Sequence, residues 1–165
     1  KKIFNGIGNL KKKFNFFKRS KKSASDTAPV ELVVKEFLKK NQNYNIIILV
    51  QLTNPFVKSK YIDDAIYNFL RNKYDSLLSV SKTKHFLWKF NKSAKSINYN
   101  FKKRPRTQKF KSYFIENGSF YIFYKKNFLK FNNRLHGKIG YYIMPKVSQF
   151  EIDDKEDLKI VKKLI

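Results

Sequence analysis

The chain has 165 residues, of which 42% are hydrophobic, and carries a formal net charge of +25. This length suits a single domain with a buried core. The absence of cysteine excludes disulfides, a thiol nucleophile and cysteine-ligated zinc. No apolar run reaches the length of a membrane span, and no signal-peptide pattern opens the chain, so we expect a cytoplasmic protein without a membrane partner.

The excess of positive charge allows two interpretations. Basic patches combined with 17% aromatic residues suit the phosphates and bases of a nucleic acid. The lysines are spread over every segment, however, together with many Asn, Ile, Phe and Tyr residues, as an AT-rich coding sequence produces. We therefore favour a solvated basic surface over a nucleic-acid-binding face, and an anionic substrate is compatible with both.

The beginning of the chain is predicted to contain one clear helix. Residues 1–13 are typical of a helix end and a turn, and residues 14–17 of a short strand. After a polar loop, apolar residues recur at helical spacing, which predicts a helix that ends at about Lys40. Its N-cap is predicted to be Asp26 or Thr27.

The apolar run Ile46–Val50 is the central predicted strand. A run without alternation is typical of a strand that is buried on both faces, as in a parallel sheet covered by helices. A helical stripe capped by Ser59 then leads to a second strand at residues 76–81, predicted to be parallel to the first. Because ligands bind beyond the carboxyl ends of such strands, the polar residues of Gln51–Asn54 are candidate binding residues, although a strand-ending turn explains them equally well.

Shorter elements complete the predicted architecture. Residues 85–90 and 97–101 are predicted to form antiparallel strands. The remaining predicted elements are a turn at Glu116–Ser119, a strand at 120–124, a helix at 127–131, a strand at 137–144 and a helix at 154–165. This alternation predicts a single domain over residues 1–165 with an α/β fold, in which helices flank a mostly parallel sheet.

Two acidic residues before the final helix, Glu151 and Asp153, are candidate metal ligands. In an extended backbone, residues two apart point to the same side, so both carboxylates can reach one Mg²⁺. The alternative is helix capping, with Asp153 or Asp154 as the N-cap and Glu156 or Asp157 completing a capping box. The pattern alone favours capping, because acidic pairs are common before helices.

Other patterns carry less information about function. His85 and His136 lack metal-ligand spacing, and we assign neither a catalytic role. No Walker loop or dinucleotide-binding glycine pattern occurs. Arg104, Arg106 and Gln108 gather donors that suit a carboxylate and sugar hydroxyls, although an ordinary basic loop is the simpler explanation.

Five motifs occur in one order along the chain. They are Arg19 with ASDTA at 24–28, VQLTNPF at 50–56, RTQ at 106–108, ENGSFY at 116–121, and YIMP at 142–145 followed by EID at 151–153 and Asp157. In this order and spacing they resemble the acylneuraminate cytidylyltransferases, the CMP-sialic acid synthetase family. That family's motifs read ASDTA, LQPTSPL, RxQ, ENGAxY, YxMP and DIDxxxD. The resemblance extends from about Phe16 to Ile165.

The resemblance implies a Rossmann-like fold of the nucleotide-diphospho-sugar transferase type. It implies transfer of CMP from CTP to the anomeric hydroxyl of a sialic-acid-like nonulosonate, with release of pyrophosphate. By the same resemblance, Glu151 and Asp153 would hold Mg²⁺ as the catalytic residues, and Arg19 and Gln51 would bind the nucleotide. The residues implied to line the acceptor sugar are Lys89, Arg106, Gln108, Asn117, Gly118 and Tyr121.

The family is cytoplasmic and dimeric, which implies a homodimer with a small antiparallel dimerisation extension at about residues 85–108. The family also opens with a strand and a basic Gly-rich loop that cradles the CTP phosphates, and no such pattern occurs here. We therefore expect an N-terminally incomplete chain that is inactive alone and active when extended upstream. The alternatives are a related cytidylyltransferase acting on 3-deoxy-octulosonate, a non-catalytic basic nucleic-acid-binding module, and an inactive remnant that binds no ligand.

Overall fold

The computed structural model describes residues 15–165. The chain divides into two compact units, of which the first ends at Tyr44 and the second comprises Asn45–Ile165. The predicted helix end and turn at residues 1–13 lie outside the described residues. The assignment of a single domain to residues 1–165 stays a prediction.

The first unit contains helix α1, Val30–Lys40, as the apolar spacing predicts. The helix begins directly after Pro29, which offers no side-chain cap, so the prediction of Asp26 or Thr27 as N-cap was wrong. Proline suits this position because its fixed φ favours helix initiation. Residues 15–20 have no regular secondary structure, so the predicted short strand is absent from its described part, 15–17.

The second unit is built on a four-stranded sheet. Its strands are β1 (Ile46–Val50), β2 (Ser76–Thr83), β5 (Tyr113–Tyr124) and β6 (Ile139–Met144), in the spatial order β1-β5-β2-β6. Strand β5 is antiparallel to both β1 and β2, whereas β2 and β6 are parallel. Three strands therefore run in one direction, which confirms the mostly parallel sheet, but β5 separates β1 from β2.

Two short strands form a separate antiparallel pair. They are β3 (Trp88–Phe90) and β4 (Ala94–Ser96), and Trp88 is paired with Ser96. The predicted second strand at 97–101 was therefore placed too late in the chain. The hairpin belongs to a segment rich in aromatic contacts, in which the Phe86 ring lies 4.6 Å from both the Tyr99 and the Phe110 rings.

Helices pack against both faces of the four-stranded sheet. They are α2 (Ser59–Arg71) and α3 (Lys125–Phe131), and a third helix, α4 (Lys155–Val161), follows the 3-10 helix Lys146–Gln149. On one face, buried Ala65 and Phe69 of α2 pack with Phe120. On the other face, the ring of Phe128 in α3 stacks 5.2 Å from that of Phe123. Among residues 15–165, no helix has both the length and the apolar character to cross a bilayer.

Three local predictions were wrong. Strand β1 is not buried on both faces, because Ile48 and Val50 are more than one-third exposed. Helix α2 has Lys58 rather than Ser59 as its N-cap. The predicted turn at Glu116–Ser119 does not reverse the chain, since it lies within β5 and forms a bulge there.

Candidate active site

Three segments of the second unit meet beyond the carboxyl end of β1. The amide of Ile152, in the acidic segment before α4, donates a hydrogen bond to the carbonyl of Thr53, in the turn after β1, at 2.8 Å. The amide of Gln51 donates to the carbonyl of Ser119, in the β5 bulge, at 3.0 Å. The turn, the bulge and the acidic segment before α4 therefore form one candidate site.

The carboxylate of Glu151 lies between the turn and the bulge. Its Oε2 accepts a hydrogen bond from the Thr53 hydroxyl at 3.3 Å. It also lies so close to Gly118 that a Cβ atom at that position would approach Oε2 to 2.5 Å. Gly118 has φ +59°, a conformation that glycine adopts without steric cost. The backbone conformation thus favours glycine here, and a Cβ atom would also displace the Glu151 carboxylate.

The electrostatic surroundings of Glu151 are unfavourable to its charge. Partial burial raises the pKa of its carboxyl, and the nearby carboxylates of Asp153 and Glu116 raise that pKa further. Only the Thr53 hydrogen bond opposes the increase. A cation near Glu151 would relieve this repulsion, whereas an anion would increase it.

Helix capping and the acidic pair use different residues. Asp154 is the N-cap of α4, and its carboxylate accepts from the amides of Glu156 and Asp157 at 2.7 and 2.9 Å. Asp157 completes the capping box by accepting from the amide of Asp154. The capping prediction is confirmed for Asp154 with Asp157, and it leaves the carboxylates of Glu151 and Asp153 available.

The two residues predicted to bind the nucleotide belong to different units. Gln51 is half-buried in the second unit, two residues before Thr53, which bonds to the acidic segment. Arg19 is exposed in the loop before α1. In the first unit, the amide and hydroxyl of Ser20 donate to the carboxylate of Glu36, and so does the Ser23 hydroxyl, which fixes the backbone directly after Arg19.

Asn117 is buried, although it was predicted to line the acceptor sugar. Its side-chain oxygen accepts from the Ser79 hydroxyl at 2.7 Å, and its side-chain nitrogen donates to the Ser148 hydroxyl at 2.7 Å. Only 1% of Asn117 is exposed. Its amide group is therefore occupied by protein partners, and any contact with a substrate stays a prediction.

Tyr121 lies on β5 beyond the bulge. Its hydroxyl donates to the carboxylate of Glu116, and the Arg134 guanidinium lies 4.5 Å from the centre of its ring. Burial, with a smaller contribution from Glu116, raises the pKa of Tyr121 to about 12. The neutral hydroxyl therefore persists at physiological pH, where it can serve as a hydrogen-bond donor.

Three other residues predicted to line the sugar lie in the segment between β2 and β5, which contains the β3–β4 hairpin. Lys89 lies on β3, while Arg106 and Gln108 lie in the loop before β5, and all three are exposed. The Gln108 carbonyl accepts from the Lys84 ammonium at 3.3 Å. In the part of the chain that the structure describes, no hydrogen bond joins these three side chains to Glu151 or Gly118.

Four residues near the candidate site were not assigned roles from the sequence. Thr53 and Asn54 occupy the strand end, where position indicated a site without distinguishing their roles. Glu116 belongs to the ENG motif, but its bond to Tyr121 depends on the bulge that brings the two together. Arg134 gives no motif signal, because its link to Tyr121 arises from tertiary structure alone.

The donor set at Glu151 fits a magnesium ion that is shared with a substrate. Within residues 15–165, no group of three or more His, Cys, Asp or Glu side chains is arranged to hold a metal. Mg²⁺ is usually bound by one or two carboxylates together with substrate phosphates, rather than by an all-protein cage. Glu151 and Asp153, whose charges repel each other, match that chemistry.

The chain has a Rossmann-like α/β fold, as comparison with a solved structure shows. The chain aligns with 4-diphosphocytidyl-2C-methyl-D-erythritol synthase from Anaerococcus prevotii DSM 20548 at a TM-score of 0.61. The alignment covers 99% of this chain and 77% of that protein, at 15% sequence identity. At this identity the likeness concerns the fold alone.

The family model described as "Cytidylyltransferase" matches residues 1–165, and the chain belongs to that family. It is 29% identical over 153 residues to N-acylneuraminate cytidylyltransferase A of Danio rerio, covering 90% of this chain and 35% of that protein. It is 32% identical over 163 residues to post-translational flagellin modification protein B of Campylobacter coli, covering 91% of this chain and 67% of that protein. The chain thus spans about a third of the length of the Danio rerio relative.

Proposed function

We propose that the protein transfers CMP from CTP to the anomeric hydroxyl of a sialic-acid-like nonulosonate and releases pyrophosphate. The observation that carries this proposal is the position of Glu151 against Thr53 and Gly118, at the carboxyl end of β1, in a chain of the cytidylyltransferase family. The acceptor class is suggested by the name of the Danio rerio relative and by the motifs described above.

In this reaction the acceptor oxygen forms a bond to the α-phosphorus of CTP while the bond to the pyrophosphate oxygen breaks. Glu151 and Asp153 would hold Mg²⁺, which neutralises triphosphate charge when bound. Without a cation, the same carboxylates would repel the nucleotide. Arg19 and Gln51 would contact the nucleotide, and Lys89, Arg106, Gln108, Asn117, Gly118 and Tyr121 would belong to the acceptor side.

The decisive experiment measures pyrophosphate release from CTP with Mg²⁺ and a panel of acceptors. We expect turnover from a version of the protein extended upstream and none from the 165-residue chain alone. The substitutions Glu151→Gln and Asp153→Asn should each lower kcat at least 100-fold, since electrostatic contacts of this kind supply about that factor. The matched control is Glu156→Gln, which removes a neighbouring exposed carboxylate and should retain activity.

The acceptor panel separates the two sugar chemistries. Turnover with sialic-acid-like nonulosonates and none with 3-deoxy-octulosonate supports the proposal, and the reverse selectivity would replace it with the related activity. Turnover by the 165-residue chain alone would contradict the expected need for an upstream segment. Absence of turnover from both versions with every acceptor would refute the proposal.

The net charge of +25 favours one other candidate, a basic module that binds nucleic acid through phosphates. Such binding would fall steeply with rising salt concentration and would not respond to Mg-CTP. We expect only weak binding to a mixed-sequence oligonucleotide at physiological salt. Tight, salt-dependent oligonucleotide binding without any effect of Mg-CTP would favour the nucleic-acid module instead.

We also propose a cytoplasmic homodimer that uses the segment at residues 85–108. In its support, several large apolar side chains of this segment are exposed, among them Phe90 at 79%. Exposed apolar surface of this kind often marks a protein–protein contact.

A further inference from the structure

Two buried asparagines border the candidate site. Asn54 follows β1 and is 3% exposed, and Asn117 lies in the β5 bulge and is 1% exposed. A buried amide group is costly unless its donors and acceptor all find partners. Both side chains meet that condition through bonds that connect different segments of the chain.

Asn54 joins the strand end to two other segments. Its side-chain nitrogen donates to the carbonyl of Asn117 at 2.9 Å and to the carbonyl of Ser148 at 2.8 Å. Its side-chain oxygen accepts from the amide of Phe56 at 3.2 Å, which fixes the turn itself. One amide group therefore ties the turn to the bulge and to the 3-10 helix Lys146–Gln149.

Asn117 joins the same 3-10 helix to the centre of the sheet. Its nitrogen donates to the Ser148 hydroxyl, and its oxygen accepts from the Ser79 hydroxyl of β2. The Ser79 hydroxyl in turn accepts from the amide of Phe120 at 3.0 Å, on the far side of the bulge. The bulge is thereby held in one conformation from both ends.

The two neighbours of Glu151 are directly attached to these asparagines. Thr53, which donates to Glu151, directly precedes Asn54. Gly118, which lies against the Glu151 carboxylate, directly follows Asn117. Ser148, which both asparagines contact, lies three residues before Glu151. The bonds made by Asn54 and Asn117 therefore determine the position of all three segments around the carboxylate.

We propose that Asn54 and Asn117 are positioning residues that hold the Glu151–Asp153 segment against the end of β1. The proposal rests on the function proposed above, because it gives these residues a role in that reaction. Asn117, whose side-chain amide is bonded to Ser79 and Ser148, acts through the position of Glu151. The amide of Ile152, bonded to Thr53, reports directly on whether the segment is in place.

The test removes single hydroxyls from this network, because replacement of a buried asparagine risks unfolding the protein. Ser148→Ala removes the hydroxyl that accepts from the Asn117 nitrogen, which then keeps only its 3.4 Å bond to the Met144 sulfur. Ser79→Ala removes the hydroxyl that donates to the Asn117 oxygen. The matched control is Ser81→Ala, since Ser81 is equally buried on the same strand and its hydroxyl has no hydrogen-bond partner among the described residues.

The first measurement is amide hydrogen exchange at Ile152 by NMR. Loss of one hydrogen bond should increase its exchange rate about fivefold in Ser148→Ala and Ser79→Ala. The rate should be unchanged in Ser81→Ala. An unchanged rate in both network variants would overturn the positioning proposal, whatever the activity of the protein.

The second measurement is the dissociation constant for Mn²⁺, used as a spectroscopic substitute for Mg²⁺. It should rise about fivefold in both network variants and remain unchanged in Ser81→Ala. Faster exchange at Ile152 with unaltered Mn²⁺ affinity would also overturn the proposal. If Glu151→Gln bound Mn²⁺ as tightly as the unsubstituted protein, the metal site of the proposed function would fail, and the exchange rates would still decide the positioning of the segment.

Discussion

Glu151 shows how a single residue can be placed where its own charge is unfavourable. The carboxylate lies against Gly118, within reach of Thr53 and near Asp153 and Glu116. Nothing in this arrangement favours ionisation except one hydroxyl donor. Ionisable groups with perturbed pKa values are common at functional sites, and binding of a ligand of opposite charge compensates for the unfavourable ionisation.

Glu151→Gln should stabilise the protein at neutral pH in the absence of divalent cations. The pKa of Glu151 is raised in the folded state, so the protonated carboxyl contributes favourably to the free energy of unfolding. This contribution is complete below the unfolded-state pKa of about 4.3 and is lost as the pH rises through the folded-state pKa. Glutamine does not ionise and avoids that loss. Thermal unfolding in EDTA should show a higher Tm for the variant at pH 7, and the difference should vanish below about pH 4.

Destabilisation by Glu151→Gln at pH 7 would contradict this account. It would mean that the Thr53 hydrogen bond to the ionised carboxylate outweighs the burial and repulsion that oppose the charge.

Gly118→Ala should both strain the backbone and displace the carboxylate. A non-glycine residue in the left-handed region costs about 1–2 kcal/mol, and the new Cβ would overlap Glu151. The control is Gly137→Ala, since Gly137 has φ +60° and is crowded by Asp75, directly before β2, whereas Gly118 lies opposite Ser79 within that strand. Both variants should lose similar free energy of unfolding in urea, but only Gly118→Ala should weaken Mn²⁺ binding. Equal weakening in both would show that global stability, not the carboxylate, controls affinity.

At the scale of elements, the bulge in β5 explains why one sequence signal was misread. An Asn-Gly pair favours a left-handed backbone conformation at the glycine, and such pairs usually mark the turn of a hairpin. Here the same chemistry places four residues, 117–120, opposite Ser79 alone, while β5 continues to Tyr124. The sequence determines the local backbone conformation, but partners far away in the chain decide whether it ends a strand or only interrupts it.

Strand β1 was misjudged for a related reason. Its five apolar residues correctly predicted a strand, but composition does not specify the neighbours of that strand. In the described part of the chain β1 pairs only with β5, so Ile48 and Val50 retain exposed surface. Which of its faces is covered depends on elements that are distant in sequence, and a single-strand pattern carries no information about them.

Asp154→Ala should destabilise helix α4 without altering metal binding. The Asp154 carboxylate caps two amides, and loss of such a cap typically costs about 1 kcal/mol. Chemical denaturation should show this decrease, whereas Lys155→Ala, an exposed change at the next position, should remain within about 0.5 kcal/mol of the unsubstituted protein. A large loss of Mn²⁺ affinity in Asp154→Ala would contradict the separation of capping from metal binding.

At the scale of the whole molecule, the sequence indicated the fold class, because helical and strand patterns alternate along the chain. The order of the motifs indicated, by resemblance, that Gln51 and Glu151 serve one reaction. It did not indicate the asparagine network. Asn54, Asn117 and Ser148 are far apart in the chain, and their hydrogen bonds exist only once the sheet is assembled. Polar residues that act through tertiary contacts leave no periodic signal.

The proposed dimer should dissociate when charged residues replace the exposed aromatic side chains of its contact segment. Phe90 and Phe101, at 79% and 57% exposure, should contact the second copy, so replacing both with lysine should yield a monomer in light-scattering measurements. Tyr67→Lys, at a 65% exposed position on α2, should leave the mass unchanged. A dimer that persists in the double variant would exclude this segment as the main contact.

The central position of β5 has a consequence for synthesis of the protein on the ribosome. In the described part of the chain β1 pairs only with β5, and β2 pairs with β5 and β6, so neither strand has a neighbour until residues beyond 113 have emerged. β2 must therefore wait, unpaired, while the 29 residues between Thr83 and Tyr113 are translated, and the apolar β1 waits for the 62 residues between Val50 and Tyr113. Exposed apolar strands of this kind attract chaperones or aggregate. Nascent chains arrested before Tyr124 should accordingly be insoluble, whereas those released after Met144 should fold.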